Sequence, residues 1–222
     1  MRVAGVDDAG RGAVIGPLAI AGVSIDEKDS YKLEKLGVKD SKLLSPHRRE
    51  QLAEGIKRFA IQWHILMLSP AEIDRVVEKG RKLHRLNRLE AQTMAKVITA
   101  LKPDVAYVDA SDVLAERFGH HVAENLSFEV KIISEHKADA KYPIVSAASI
   151  IAKVERDKSV EELRQKYGEE MGSGYVADPK TVRFLKKWLE RFGAYPDFVR
   201  KSWKPAKKLK KDNEAKQTRL TA

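Results

Sequence analysis

Short apolar, β-branched runs alternate along this chain with longer segments whose apolar positions recur every three or four residues. Residues 2–8 (RVAGVDD) and 14–25 (VIGPLAIAGVSI) predict the first two strands, with a glycine-rich tight turn between them. Residues 61–68 (IQWHILML), 104–111 (DVAYVDAS) and 127–134 (SFEVKIIS) predict three more. Ser-Pro opens two helical segments, 45–60 and 69–80, where serine serves as cap and proline as first helical residue. A stronger helix is expected over 86–102, with Leu86, Leu89, Met94, Val97, Ile98 and Leu101 near one stripe. Residues 112–126, 143–168 and 178–193 complete the helical pattern, and the last stretch predicts at best a short basic helix before a frayed end. The alternation gives an α/β class, one mixed sheet covered by helices. The helical part from about residue 178 falls outside the alternation.

Composition narrows the setting. The chain has 222 residues and is 43% hydrophobic, enough for a packed core. It has no cysteine, which excludes disulfides, zinc–thiolate sites and iron–sulfur clusters and suggests a reducing cytoplasm. No apolar run approaches the roughly 18 residues that span a bilayer, and Asp7 and Asp8 interrupt the only candidate leader. Net charge is +10, of which +7 lies between Arg200 and Ala222. Such a tail is either a solvated end or an electrostatic handle for nucleic acid.

Four carboxylates share one context. Asp7 and Asp8 close the first strand, Asp109 closes the DVAYVD strand, and Asp139 precedes the long helix. Strand ends are where sites gather in α/β sheets. Pleating puts Asp7 on the face of Val3 and Gly5, and Asp8 on the opposite face with Ala4 and Val6, unless the strand stops or twists. Each aspartate can also be read as a helix cap. As a group they repel one another, and a multivalent cation would hold them together. An all-oxygen donor set favours Mg²⁺ or Mn²⁺ over zinc. Two such ions about 4 Å apart would serve phosphodiester hydrolysis. Gly10-Arg11-Gly12 reads as a tight turn, or as backbone approaching a ligand oxygen.

Six segments in order, GVDDAGRGAVIGP, VKDSKLLSPHRRE, LNRLEA, YVDASD, HKADAKYPIVSAASIIAKVERD and GSGYVADP, resemble ribonuclease HII in its archaeal single-chain form. The resemblance runs from residue 1 to about 205. It implies an RNase H-like catalytic domain over 1–177, a C-terminal helical extension over 178–205, and a basic, flexible tail over 206–222. It implies a cytoplasmic, monomeric endonuclease. Its substrates would be RNA–DNA hybrid and duplex DNA carrying embedded ribonucleotides, cut by two-metal-ion hydrolysis. Carried over by motif, Asp7, Asp8, Asp109 and Asp139 would hold Mg²⁺ or Mn²⁺. Gly10, Arg11 and Gly12 would read the ribose 2′-hydroxyl, Tyr175 would bond that hydroxyl and stack on the next sugar, and Lys42 would contact phosphate. Lys153 and Arg156 would add phosphate contacts, and His136 would support a metal ligand or the fold rather than bind the ion itself.

Two departures matter. The family usually has glutamate at the second carboxylate, where this chain has Asp8, shorter by one methylene. That shift predicts a changed metal preference, or in the alternative a hybrid-binding protein without catalysis. Archaeal relatives often end in a sliding-clamp peptide with two aromatics. Here QTRLTA offers Gln217 and Leu220 but no aromatic pair, so either the chain is truncated or clamp binding is lost.

Overall fold

The computed structural model describes residues 1–38, 44–78 and 82–221. Five strands form one sheet: β1 (Arg2–Ala9), β2 (Leu18–Asp26), β3 (Gln62–Leu68), β4 (Val105–Asp109) and β5 (Lys131–Glu135), in the order β3-β2-β1-β4-β5. β1 pairs antiparallel with β2 and parallel with β4, and β4 pairs parallel with β5. This is a mixed α/β sheet, as the alternation predicts. The helices are α1 (Ser30–Leu36), α2 (Pro46–Phe59), α3 (Pro70–Glu78), α4 (Lys82–Leu101), α5 (Ala115–Ala123), α6 (Ala138–Lys141), α7 (Pro143–Tyr167), α8 (Pro179–Phe192) and α9 (Lys204–Thr221). No helix among the described residues is long and apolar enough to cross a membrane.

The chain divides into two compact units. The first comprises residues 1–9, 19–67 and 83–155 and contains nearly all of the sheet. One face buries Val3, Ala19, Ala21, Val23, Ile25 and Val105 against Leu33 of α1, Leu52 and Ile56 of α2, and Val145, Ala148 and Ile151 of α7. Helix and sheet meet closely there: a Cβ on Gly5 would lie 2.3 Å from the Ile144 carbonyl oxygen. The opposite face receives α4, whose Val97 and Leu101 fill the space above Gly22. The parity that sends Gly5 toward α7 sends Asp7 the same way, whereas Asp8 shares the α4 side with Val6.

The second unit comprises residues 10–18, 68–82 and 156–222. Its core joins Val14 and Ile15 to Val160, Met171, Leu185, Leu189 and Val199. Ile15 forms an isolated antiparallel bridge with Val199. Residues 14–17, expected within the second strand, lie outside it, because their backbone is tied to this unit instead: Val14 and Ile15 both donate to the Gly174 carbonyl, at 2.8 and 3.1 Å. The C-terminal segment is longer in helix than its composition predicts, and α9 runs to Thr221. Burial of Ala206 and the bond from the Tyr195 hydroxyl to its carbonyl, at 3.1 Å, anchor the start of α9.

Candidate active site

The carboxylates belong to the first unit and follow from its strand ends. Asp7 is 4% exposed and lies beneath α7. Its carboxylate is held by the Ser149 side chain and by the Asp8 amide, which donates to Asp7 Oδ1 at 2.7 Å. Burial, reinforced by the negative charges of Asp8 and Asp109, pushes the Asp7 carboxyl well above the usual carboxylate range. Ser149 also accepts from Lys153 Nζ at 2.5 Å. Asp8 is half-buried on the other pleat, where the Ser111 hydroxyl reaches its Oδ1 at 3.4 Å. The strand does not stop at the doublet, for regular pairing with β2 continues to Ala9.

Asp109, at the end of β4, accepts the Ala138 amide on Oδ1 at 2.7 Å. That bond ties the strand end to α6, whose second residue is the buried Asp139. Lys137, in the left-handed region at φ 55°, turns the backbone into this short helix. Asp109 thus holds a backbone amide of α6 and also lies within the field of Asp7. Among the described residues no three Asp, Glu or His side chains gather where one ion would sit. The donor chemistry nevertheless suits a hard divalent cation: all oxygen, mutually repelling, and buried at Asp7.

Sequence reasoning missed Asp112. It is 3% exposed, with two bonds to Arg117 and one from the Leu114 amide, and its carboxyl is held far below the usual range. It fixes the loop that follows Asp109, and its signal was only the second aspartate of VDASD. His136 contacts the Val113 carbonyl through Nε2 at 3.1 Å, as a structural histidine should.

The turn and the tyrosine belong to the second unit. Gly10 has φ +92° and closes a turn through Ala13 N–H to its own carbonyl, 3.1 Å. The fully buried Arg200 grips this segment, donating to the carbonyls of Arg11 at 2.8 Å and Gly16 at 3.2 Å. Asp74 holds the neighbouring residues, accepting from the Lys201 amide and from Ser202. Neither Arg200 nor Asp74 was foreseen, because a lone charge in a basic segment looks solvated.

Tyr175 is half-buried at the end of a loop with Gly172 and Gly174, both at positive φ. Asp178 pins that loop by accepting the Ser173 amide at 2.7 Å, and Thr181 accepts the Gly174 amide at 3.0 Å. Arg156 corrects an expectation. Instead of reaching out to phosphate it is 5% exposed, and its guanidinium carbon lies 4.6 Å from the centre of the Tyr175 ring. Lys42 lies outside the described residues.

The sequence profile of the ribonuclease HII family matches residues 4–206. The chain belongs to this family. A ribonuclease HII of Thermococcus sibiricus is 51% identical over 211 residues, covering 94% of this chain and 91% of that one. The crystal structure of ribonuclease H2 from Pyrococcus horikoshii superposes with a TM-score of 0.88 at 45% identity, covering 96% and 99% of the two chains. The ribonuclease HII of Archaeoglobus fulgidus, solved in a complex with PCNA, gives 0.82 at 44% identity, covering 93% and 96%. The fold is therefore the RNase H-like α/β fold that the motifs imply.

Proposed function

We propose that this member of the ribonuclease HII family is a metal-dependent endonuclease that hydrolyses the RNA strand of RNA–DNA hybrids and incises duplex DNA on the 5′ side of embedded ribonucleotides. The observation that carries the proposal is the buried Asp7 carboxylate within the field of Asp8 and Asp109, in a chain matched to the family along most of its length. Asp7, Asp8, Asp109 and Asp139 would hold Mg²⁺ or Mn²⁺. Bound there, the cations would activate a water and offset charge on the leaving oxygen. The water's oxygen bonds to phosphorus and the P–O3′ bond breaks, leaving a 3′-hydroxyl and a 5′-phosphate. Ser149 orients Asp7, and the Ala138 amide orients Asp109.

Recognition falls to the second unit. Gly10, Arg11 and Gly12 would meet the ribose 2′-hydroxyl through backbone groups, and the Tyr175 phenol would bond it. That hydroxyl separates RNA from DNA, and neither contact reads a base. Lysines, Lys42 among them, would hold phosphates without sequence preference.

Asp8 sets the metal preference. Asp8 has one methylene less than glutamate, and Mn²⁺ would tolerate that shorter reach better than Mg²⁺, which demands near-ideal octahedral geometry. Asp8→Glu should raise the Mg²⁺-supported rate relative to the Mn²⁺-supported one; an unchanged ratio would remove this role. One observation favours a second reading, a hybrid binder without catalysis: among the described residues no three acidic side chains gather where one ion would sit. Metal-dependent cleavage of any hybrid excludes it. Clamp binding is left to a direct test. The A. fulgidus relative was solved with PCNA, while the end of this chain has no aromatic pair. Pull-down with an archaeal clamp tests whether this chain makes that contact.

A further inference from the structure

Arg156 sits at the junction of the two glycine segments of the second unit, and its environment is built around its side chain. Nη2 donates to the Ser173 carbonyl at 2.8 Å, and Nη1 meets Asp157 at 3.2 Å. The guanidinium carbon lies over the Tyr175 ring. Nε is buried and finds no hydrogen-bond partner among the described residues.

The space the side chain occupies exists because two positions lack a Cβ. One built on Gly10 would lie 3.3 Å from Arg156 Cγ and Nε and 2.8 Å from the Pro17 carbonyl oxygen. One built on Gly174 would lie 3.1 Å from Nη2 and 2.9 Å from the Ile15 carbonyl oxygen. A buried guanidinium with an unsatisfied N–H is costly, and stability alone would be served as well by an apolar side chain. What the guanidinium adds is a rigid fork that bonds the Ser173 carbonyl and packs on the Tyr175 ring, while its stem runs past the Gly10 turn where a Cβ would crowd it.

We propose that Arg156 is a positioning residue for ribonucleotide recognition. It locks the Tyr175 loop against the Gly10–Gly12 turn, so that phenol and backbone meet one 2′-hydroxyl in a fixed arrangement. The inference rests on the reading that Tyr175 senses the ribose. It replaces the role of phosphate anchor that the sequence suggests for Arg156.

The test is a double-mutant cycle on a duplex with one embedded ribonucleotide, comparing parent, Arg156→Lys, Tyr175→Phe and the pair. Lysine keeps the charge but loses both the planar stacking and the fork. Melting temperature is followed in parallel, and Arg156→Gln, which keeps a planar donor, replaces the lysine variant if that one does not fold. Arg156→Lys should melt near the parent and lose at least tenfold in kcat/KM. In its background, Tyr175→Phe should cost less than threefold, because the phenol is already misplaced. Full, multiplicative losses in the double variant would overturn the inference, since Arg156 would then act apart from Tyr175. So would an unchanged kcat/KM for Arg156→Lys. If Tyr175→Phe alone has no effect, the ribose-sensing reading fails first and the inference falls with it. If that variant loses activity and Arg156 shows no coupling to it, the inference alone fails.

Discussion

Asp7 lies under α7 and faces two other carboxylates, so the fold disfavours its charge in the absence of a cation. An acid whose folded pKa is raised costs stability as pH climbs from its unfolded value, about 3.9, through the folded one. In chelator, Asp7→Asn should therefore melt higher than the parent at pH 7, with the gap closing toward pH 3, while activity disappears. Mg²⁺ should raise the melting temperature of the parent more than that of the variant. A variant less stable at every pH would show that Asp7 serves the fold.

Asp112 carries the opposite sign. Its folded pKa is depressed by Arg117 foremost, so its stabilisation is complete above the ordinary aspartate range and fades as pH falls. Asp112→Asn should cost about 2 kcal/mol at pH 7, the worth of charged hydrogen bonds lost in a buried place. Urea midpoints should draw together as pH falls below the ordinary aspartate range. Parallel midpoints across that range would contradict the assignment.

At the scale of elements, the close approach of β1 and α7 decides where Asp7 points. Gly5→Ala would press a methyl into the Ile144 backbone, which cannot yield as a side chain can. A loss of about 1–3 kcal/mol is expected in denaturant unfolding, as for overpacked cores. A neutral result would mean that α7 moves freely over the strand.

The longer elements were legible because their apolar period runs over several turns: α2, α7 and α8 match their Ser-Pro, Tyr-Pro and Asp-Pro starts. α1 and α6 were not legible. α1 has only Leu33 buried before its C-terminal Gly37, and α6 is a single turn set by Asp109 from 29 residues away. β5 begins at Lys131, not at Ser127, because its partner β4 offers only Val105–Asp109. Alternation alone shows what a strand would look like but not how long its neighbour is.

Across the whole molecule, charge is the property most open to reading, and burial of charge the least. Motif order picked out the four aspartates and Tyr175. Arg200 and Asp74 became visible only as buried partners of backbone groups many residues away, and Arg156 showed its burial only there. The basic C-terminal segment keeps Lys207, Lys208, Lys210 and Lys211 exposed on α9. If they neutralise phosphates, replacing all four with glutamine should weaken hybrid binding and lower the slope of log K against log salt by about 2–4. An unchanged slope would make α9 a solvated helix without a part in binding.

The most direct measurement is cleavage of a labelled DNA duplex carrying one ribonucleotide, with Mg²⁺, Mn²⁺ or chelator, beside an all-DNA control and the Asp109→Asn variant. The account predicts a single metal-dependent cut on the 5′ side of the ribonucleotide by the parent. The variant should bind as tightly but turn over at least a hundredfold more slowly. Tight, salt-sensitive binding by the parent with no cut under any metal would contradict it, and the four aspartates would then belong to a binding protein.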